Sequence, residues 1–246
     1  MAFQDRDYMQ ARSAEAAHEL DQGLRSYMLR VYNYMASAVA LTGIISWLVV
    51  NTSLSGLFFV MTPKGGYAPS MLSWGAMLLS IGMVFFLSFR INHMRASTAQ
   101  GLFWAYATLA GIGLAPIFYT YTADSIARVF FISAGAFAGL SLYGYTTKRD
   151  LTGFGSFLIM GLIGLLIASV VNMFMQSTMM HWVISAAGVL IFSGLTAYDT
   201  QKIKEMYYEA DSAEMASKKA VMGALTLYMD FINLFLMLLR FFGDRR

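Results

Sequence analysis

The chain carries no formal charge over 48 consecutive residues, from Leu151 to Tyr198: LTGFGSFLIMGLIGLLIASVVNMFMQSTMMHWVISAAGVLIFSGLTAY. A helix that crosses the hydrocarbon core of a bilayer needs about 20 apolar residues. The stretch is therefore too long for one such helix and long enough for two. A group of polar residues between Asn172 and His181 divides it, which predicts helices over residues 151–171 and 182–198.

Five further apolar windows predict five more membrane helices. Their expected ranges are residues 28–50, 70–89, 97–121, 129–145 and 221–242. Pro116 falls in the last third of the third helix, where it is expected to free a backbone carbonyl group and kink the helix. The sequence thus predicts an all-α integral membrane protein with seven transmembrane helices. An amino-terminal tail over residues 1–26 precedes a membrane domain over residues 27–246.

The composition excludes a soluble enzyme. Hydrophobic residues make up 58% of the 246 residues and charged residues only 13%, whereas a soluble domain carries about 25% charged residues. The absence of cysteine from the sequence excludes disulfides, thiol catalysis and cysteine-ligated zinc. The sequence also lacks a phosphate-binding loop and the HExxH and GxSxG motifs. We therefore expect no enzyme activity, no cofactor and no nucleic-acid partner.

Lysine and arginine residues are distributed unevenly between the two ends of the predicted helices. With a cytoplasmic amino terminus, twelve of them lie in the tail and the even-numbered loops, and two lie in the odd-numbered loops. Cytoplasmic segments are enriched in these residues, so we expect the amino terminus in the cytoplasm. The carboxy-terminal end disagrees, because seven crossings place Arg240, Arg245 and Arg246 outside. Either this short tail is an exception, which we favour, or the last segment re-enters without crossing.

Small residues let helices approach closely in lipid. Gly135 and Gly139 form a small-xxx-small pair in the fourth helix, and Gly111 and Gly161 are further candidates for close contacts in the third and fifth helices. Ordinary packing of a membrane helix accounts for these residues without any special function.

Two acidic residues are expected within the membrane, where burying a charge costs at least about 2.5–3.5 kcal/mol. Asp199 ends the sixth helix in the sequence LTAYDTQ, and Asp230 lies inside the seventh helix in LYMDFIN. A rise of 1.5 Å per residue places Asp199 about 26 Å along its helix from Trp182, and Asp230 about 14 Å beyond Val221. Because consecutive helices are expected to pack as antiparallel neighbours, the two carboxyl groups can meet.

Such a pair has a definite chemistry. Two carboxylates in a medium of low dielectric cannot both ionise cheaply, so they are expected to share one proton, which the pair can exchange for a cation. Two alternatives remain open. Asp199 could be an interfacial acid paired with Lys202 or Lys204, and Asp230 could be a structural acid satisfied by hydrogen bonds.

A cation near the pair could hold it in a closed state. Arg90 and Arg95 lie at the cytoplasmic end of the second helix, at the same side of the membrane as the pair. They could equally be charges that only set the topology. His93 and His181 are interpreted as interfacial side chains, because a metal-binding role is not favoured for either.

Three segments resemble the Bax inhibitor (transmembrane Bax-inhibitor-motif) family. The most specific is the end of the chain, LYMDFINLF over residues 227–235 and LLRFFG over residues 238–243. The sequence AYDTQKI, residues 197–203, resembles the motif of the family's sixth helix, and GIGLAPIF, residues 111–118, resembles its third helix. The helix count and spacing match from about residue 25 to residue 243. The short tails and the lack of cysteine are typical of a bacterial member.

The resemblance implies a fold in which the last helix is central and the other six surround it. It also implies a pH-sensitive calcium leak through the bacterial inner membrane, controlled by a di-aspartyl sensor that maps to Asp199 and Asp230. The family's latch arginine maps to Arg90, with Arg95 as the fallback. Ca²⁺ takes six to eight oxygen ligands, and two aspartates supply at most four. Calcium is therefore expected as a permeant ion and not as a tightly bound cofactor.

A different function class stays open. Some bacterial relatives look like modulators that bind membrane proteases, and relatives involved in cell death act through protein partners. In that interpretation the charged amino-terminal tail and the loop from Lys202 to Lys219 form the partner surface, and Asp230 is only structural. The expected partners are thus calcium ions, protons and the lipid bilayer in the first interpretation, and a membrane protease in the second.

Overall fold

Long helices account for all seven predicted membrane spans. The computed structural model describes residues 2–63 and 66–246, with side chains from residue 21 onward. In chain order the elements are α1 (Ala2–Asn51), α2 (Ser55–Phe58), β1 (Phe59–Met61), β2 (Tyr67–Pro69), α3 (Met71–Arg90), α4 (Ala96–Leu114), α5 (Ile117–Thr120), α6 (Ala123–Thr146), α7 (Thr152–Met175), α8 (Thr178–Glu205) and α9 (Ala213–Phe242). Seven of their segments are long and apolar enough to cross a bilayer, which confirms the predicted count.

The first helix is continuous across the predicted boundary between tail and membrane domain at residue 26. Its spanning part runs from Asp21 to Asn51, whereas the charged side chains before Asp21 lie outside the described residues. The division into a tail and a membrane domain stays a prediction.

Local sequence signals explain where several helices begin and end. Ser70, Thr122, Ser177 and Ser212 are N-cap residues whose side-chain oxygens accept a hydrogen bond from a backbone N–H in the first turn of α3, α6, α8 and α9. The third span is interrupted at Pro116. The helix α4 stops at Leu114, and a separate helical turn, α5, follows the proline. The predicted kink is therefore confirmed as a break.

The last helix is the core of the bundle. In the most apolar 18-residue stretch of each spanning helix, the buried share is 61% in α9 and 17–33% in the other six. It packs chiefly against α8, α1, α6 and α4, while α3 covers α4 and α7 covers α8 from outside. Tyr228, Leu227 and Leu234 on α9 are almost completely enclosed. The prediction of a central last helix is confirmed, with four helices in direct contact and two in an outer position.

The surface of the bundle is apolar, as expected of a chain that faces lipid. Large side chains such as Phe131 (73% exposed) and Phe174 (79% exposed) point outward from the spanning helices. Acyl chains, and not water, are the natural neighbours of such a surface.

The two ends of the bundle differ in their loops. At the carboxy-terminal end, which holds the end of α9, strands β1 and β2 form an antiparallel hairpin between the first two spans. The ring of Tyr119 stacks on Tyr67 of this hairpin, with centroids 4.4 Å apart. The sequence predicts only a connection between the spans over residues 28–50 and 70–89, and the hairpin is not evident from it. Lys64, in its turn, lies outside the described residues.

The carboxy-terminal tail pairs with the segment between α5 and α6. The backbone N–H of Thr122 donates to the carbonyl of Asp244, and the N–H of Arg246 donates to that of Thr120, both at 3.1 Å. Arg128 also forms an ion pair with Asp244 at 2.8 Å. Because this segment follows the third span, α9 ends at the face opposite its start. The last helix therefore crosses once and does not re-enter.

The structure corrects the predicted helix contacts of the fourth span. A Cβ atom added at Gly135 or Gly139 would meet nothing within 4 Å, so this pair does not mediate packing. Gly144 on the same helix does, because its missing Cβ lets α6 approach the backbone of α8 at Ala197. Gly111 likewise packs against the backbone of α1 at Thr42. The spacing of small residues does not show which face of a helix meets its neighbour.

Candidate functional site

The two predicted acids lie on α8 and α9, which are antiparallel neighbours with extensive contact. The connection between them is only residues 206–212. It is held by Lys219, whose Nζ donates to the carboxylate of Asp211 at 2.5 Å and to the carbonyl of Met206 at 2.9 Å. This short, tethered connection keeps the two helices together and fixes their relative depth.

The structure brings Asp199 and Asp230 together, as predicted. Their carboxyl groups lie within hydrogen-bonding reach of each other. Asp230 is only 6% exposed and Asp199 is half-buried, so the pair spans the boundary between the core of the bundle and its accessible part. Lys202, one turn beyond Asp199 on α8, is close enough to interact with it electrostatically.

One oxygen of the pair has no partner. Within the described part of the chain, Oδ2 of Asp230 is buried and accepts no hydrogen bond. Buried polar atoms are nearly always satisfied in folded proteins, and an unsatisfied one costs about 1–3 kcal/mol. Because a carboxylate oxygen is an acceptor only, this atom is satisfied only by a group that brings a proton or a positive charge.

A chain of hydroxyl groups lies beside the pair and joins three helices. Thr200 on α8 donates to the carbonyl of Thr196 at 2.7 Å, and its Oγ1 lies 2.9 Å from Oγ of Ser141 on α6. Because a hydroxyl group has one proton, Ser141 donates to Thr200, and Tyr32 on α1 donates to Ser141 across 2.6 Å. This chain fixes α8 next to Asp199. None of these three hydroxyl groups was predicted from the sequence.

The next residue on α8 anchors the loop between α6 and α7. The side chain of Gln201 accepts from the N–H of Leu151 and donates to the carbonyl of Arg149, both at 2.8 Å. Lys204 donates to the carbonyl of Tyr145 at 2.8 Å. Lys204 is thus engaged with the backbone of α6 and does not pair with Asp199.

The central helix is fixed just before Asp230. Tyr228 donates to Oγ1 of Thr42 on α1 across 2.7 Å, because Thr42 uses its own proton for the carbonyl of Ala107 on α4. Rings of Phe103 and Tyr106 on α4 meet Tyr228 edge to face. Each helix that carries an acid of the pair is therefore held by a polar contact close to that acid, α8 at Thr200 and α9 at Tyr228.

The two predicted latch residues lie elsewhere. Arg90 ends α3 and Arg95 is the N-cap of α4, and both side chains are exposed at the amino-terminal end of the bundle. Neither forms an ion pair within residues 21–63 and 66–246. Neither arginine is among the groups found to interact with Asp199 or Asp230, and α3, which ends at Arg90, packs chiefly against α4. Their gating role stays a prediction.

The histidines do not join the site. His93 and His181 are both exposed, at opposite ends of the bundle. Among the residues that the structure describes, no three histidine, cysteine or acidic side chains come together as a metal-binding group.

The fold and site define a class of protein: a seven-helix membrane protein whose central helix carries the buried member of an acid pair. The family model described as inhibitor of apoptosis-promoting Bax1 matches residues 24–246. The chain therefore belongs to the Bax inhibitor family, and its predicted resemblance is confirmed.

Similar bacterial proteins span nearly the whole chain. Protein RP147 of Rickettsia prowazekii is 48% identical over 231 residues, which cover 92% of each chain. The inner membrane protein YbhL of Escherichia coli is 44% identical over 226 residues, covering 91% of this chain and 94% of YbhL. A protein of Caulobacter vibrioides is 42% identical over 248 residues, covering 98% of each chain.

Proposed function

We propose that this chain is a pH-sensitive calcium leak of the bacterial inner membrane, with a cytoplasmic amino terminus, and that Asp199 and Asp230 are its sensor. The observation that carries the proposal is the contact between the two carboxyl groups, with an unpartnered oxygen of Asp230 inside the core. The location is supported by the likeness to YbhL, an inner membrane protein. The proposal involves no catalytic step and no cofactor.

The closed state is explained by one shared proton. A hydrogen bond between two carboxyl groups needs a proton on one of them, since two carboxylates are acceptors only. With that proton in place the pair carries one negative charge and links α8 to α9. Among the side chains that the structure describes, no other hydrogen bond joins α8 to α9 near the pair, so the shared proton is the local link between the two helices.

The open state follows from loss of the proton. Two adjacent negative charges repel each other most strongly where the surroundings are apolar. Relief requires the carboxylates to separate and to take up water or a cation. The four carboxylate oxygens are fewer than the six to eight that Ca²⁺ takes, so waters and backbone carbonyls complete its coordination. Such incomplete ligation favours passage over storage.

The position of the pair suits a gate near the amino-terminal end. At 1.5 Å per residue α8 extends only about 9 Å beyond Asp199. Counted from Val221, where the apolar part of α9 starts, Asp230 lies about 14 Å deep. A cation that reaches the pair from this end crosses less than half of the hydrocarbon thickness of about 30 Å.

Pairing of Arg90 with the acids, the predicted latch, requires a movement of α3. In the described conformation its side chain is exposed and α3 lies outside α4. Pairing with Asp199 therefore requires α3 to shift inward, and we place this state among the closed conformations. Lys202 is the cation already near Asp199, and it reduces the cost of a negative charge there.

The test is calcium flux into dye-loaded proteoliposomes between about pH 6 and pH 8. The proposal predicts flux above that of empty liposomes, increasing as the pH rises through the range in which the shared proton is lost. Absence of flux at every pH would refute the leak and favour the alternative, a non-transporting modulator that binds a membrane protease. Deletion of residues 1–24 separates the two functions further: a leak keeps its flux, whereas a modulator loses its partner.

A further inference from the structure

A second polar site lies at the opposite end of the bundle from the acid pair. A cavity of about 310 Å³ opens between the end of α7, the start of α8 and the end of α9. Its polar lining consists of Ser169, Asn172, Gln176, His181 and Arg240. No carboxylate is among its described lining residues, and Asp230 lies about 15 Å away along α9 at 1.5 Å per residue. The cavity is therefore separate from the proposed gate.

A buried amide group points to a ligand. Asn172 is only 2% exposed, and its Oδ1 accepts from the N–H of Ser177 at 3.0 Å. That bond fixes which end of the amide is oxygen. The other end, Nδ2, is buried and has no partner in the described part of the protein. A buried donor without a partner loses the hydrogen bonds that it makes in water, so the cavity is incomplete without an acceptor.

The cavity also carries a positive charge, and a positive charge and a free N–H donor both favour an anionic ligand. Arg240 contributes a guanidinium group from the last turn of α9, and it forms none of the ion pairs found within residues 21–63 and 66–246. A cation at a helix carboxyl terminus can be explained by the helix dipole alone. That explanation accounts for Arg240 but leaves the buried Nδ2 of Asn172 unsatisfied.

Side-chain donors outnumber side-chain acceptors around the cavity. His181, in the first turn of α8, and Gln176, between α7 and α8, add an imidazole and a second amide. Ser169 uses its proton for the carbonyl of Leu165 and offers only lone pairs. Arginine binds phosphate through two parallel hydrogen bonds, and amide and imidazole N–H groups complete such a site.

We propose that this cavity binds a phosphate group. Arg240 neutralises its charge and Asn172 donates to one of its oxygens. The cavity lies at the carboxy-terminal end of the bundle, where the spanning helices end and the headgroup region of a bilayer begins. The phosphate therefore comes from one of two sources, the headgroup of an anionic phospholipid or free inorganic phosphate.

The experiment measures binding to the purified full-length chain in a neutral detergent. Phosphatidylglycerol, diacylglycerol without a phosphate, and inorganic phosphate are titrated separately, with thermal unfolding and native mass spectrometry as readouts. The proposal predicts saturable stabilisation by phosphatidylglycerol or by inorganic phosphate, and none by diacylglycerol. Stabilisation by the lipid alone identifies the headgroup as the source, and stabilisation by the salt identifies the free ion.

Three variants test the residues. Arg240→Gln removes the charge, and Asn172→Asp keeps the acceptor for the N–H of Ser177 while replacing the Nδ2 donor by an oxygen. Each is expected to weaken binding about tenfold or more, because a charge-assisted or buried hydrogen bond is lost. Arg245→Gln, at the same end of the chain but outside the cavity, is the control and keeps wild-type binding. Equal binding by all three variants, or no saturable binding by the wild type, overturns the proposal.

Discussion

Replacement of Gly144 by alanine tests whether the contact between α6 and α8 positions the acid pair. A Cβ atom at this residue would lie 2.1 Å from the carbonyl oxygen of Ala197, which precedes Asp199 by two residues on α8. Carbon–oxygen contacts in proteins are about 3.3–3.6 Å. The two helices must therefore separate by about 1 Å at this point, because both contacting groups are close to rigid backbone.

The cost has two parts. Overpacking of a well-packed contact destabilises a protein by about 1–3 kcal/mol. The same separation lengthens the 2.9 Å bond between Ser141 and Thr200, which is worth about 0.5–1.5 kcal/mol. Compared with the same substitution where there is free space on this helix, Gly144→Ala is therefore expected to lower the free energy of unfolding by roughly 1.5–4.5 kcal/mol. It is also expected to alter the pH profile of calcium flux, because Thr200 is adjacent to Asp199.

Gly135→Ala is the matched control on the same helix. Its Cβ meets nothing within 4 Å, and alanine is favoured over glycine inside a helix by about 0.5–1 kcal/mol. Both variants and the wild type are compared by unfolding in a detergent titration and by flux in proteoliposomes. If Gly144→Ala is as stable as Gly135→Ala and keeps the wild-type pH profile, the reasoning from the helix contact is refuted.

Three further predictions concern the loops and the latch. Lys219→Met is expected to speed backbone hydrogen exchange in residues 206–211, because it removes the 2.5 Å contact with Asp211 that tethers the connection. Lys218→Met is the control and is expected to have little effect, since Lys218 makes only a 3.5 Å ion pair with Glu214 within α9. Because the sequence has no cysteine, single cysteines report the orientation of the chain. Arg245→Cys is expected to react with an impermeant thiol reagent from outside intact cells, and Glu209→Cys is expected to react only after permeabilisation. The reverse pattern would show that the proposed orientation is inverted. Arg90→Gln is expected to raise calcium flux at neutral pH, and an unchanged flux would remove this arginine from the gating mechanism.

The membrane spans could be predicted from the sequence because the requirement for each one is local. A bilayer demands about 20 apolar residues whatever the neighbouring helices do. The breaks at Pro116 and Gln176 were also predictable from residue types, although only the structure shows that Gln176 takes a left-handed backbone conformation with a φ of 51°. The hairpin was missed because strands of three residues carry no alternating pattern.

The candidate site could be predicted in part. Acids inside apolar helices are rare enough to be noticed singly, which identified Asp199 and Asp230. Tyr32, Ser141 and Thr200 were missed because hydroxyl residues are common in membrane helices and these three are far apart in sequence. Their contact depends on how three helices pack. The same limit applies to Asn172, which the sequence showed only as part of a polar break.

The most direct test of the account is the pH profile of calcium flux in Asp199→Asn and Asp230→Asn proteoliposomes. An amide keeps the size of the carboxyl group but can neither take up nor release the shared proton. Each variant is expected to lose the pH dependence of the wild type, while Asp124→Asn, an exposed acid in the first turn of α6 and away from the pair, is expected to retain it. A wild-type pH profile in both pair variants would contradict the assignment of the sensor.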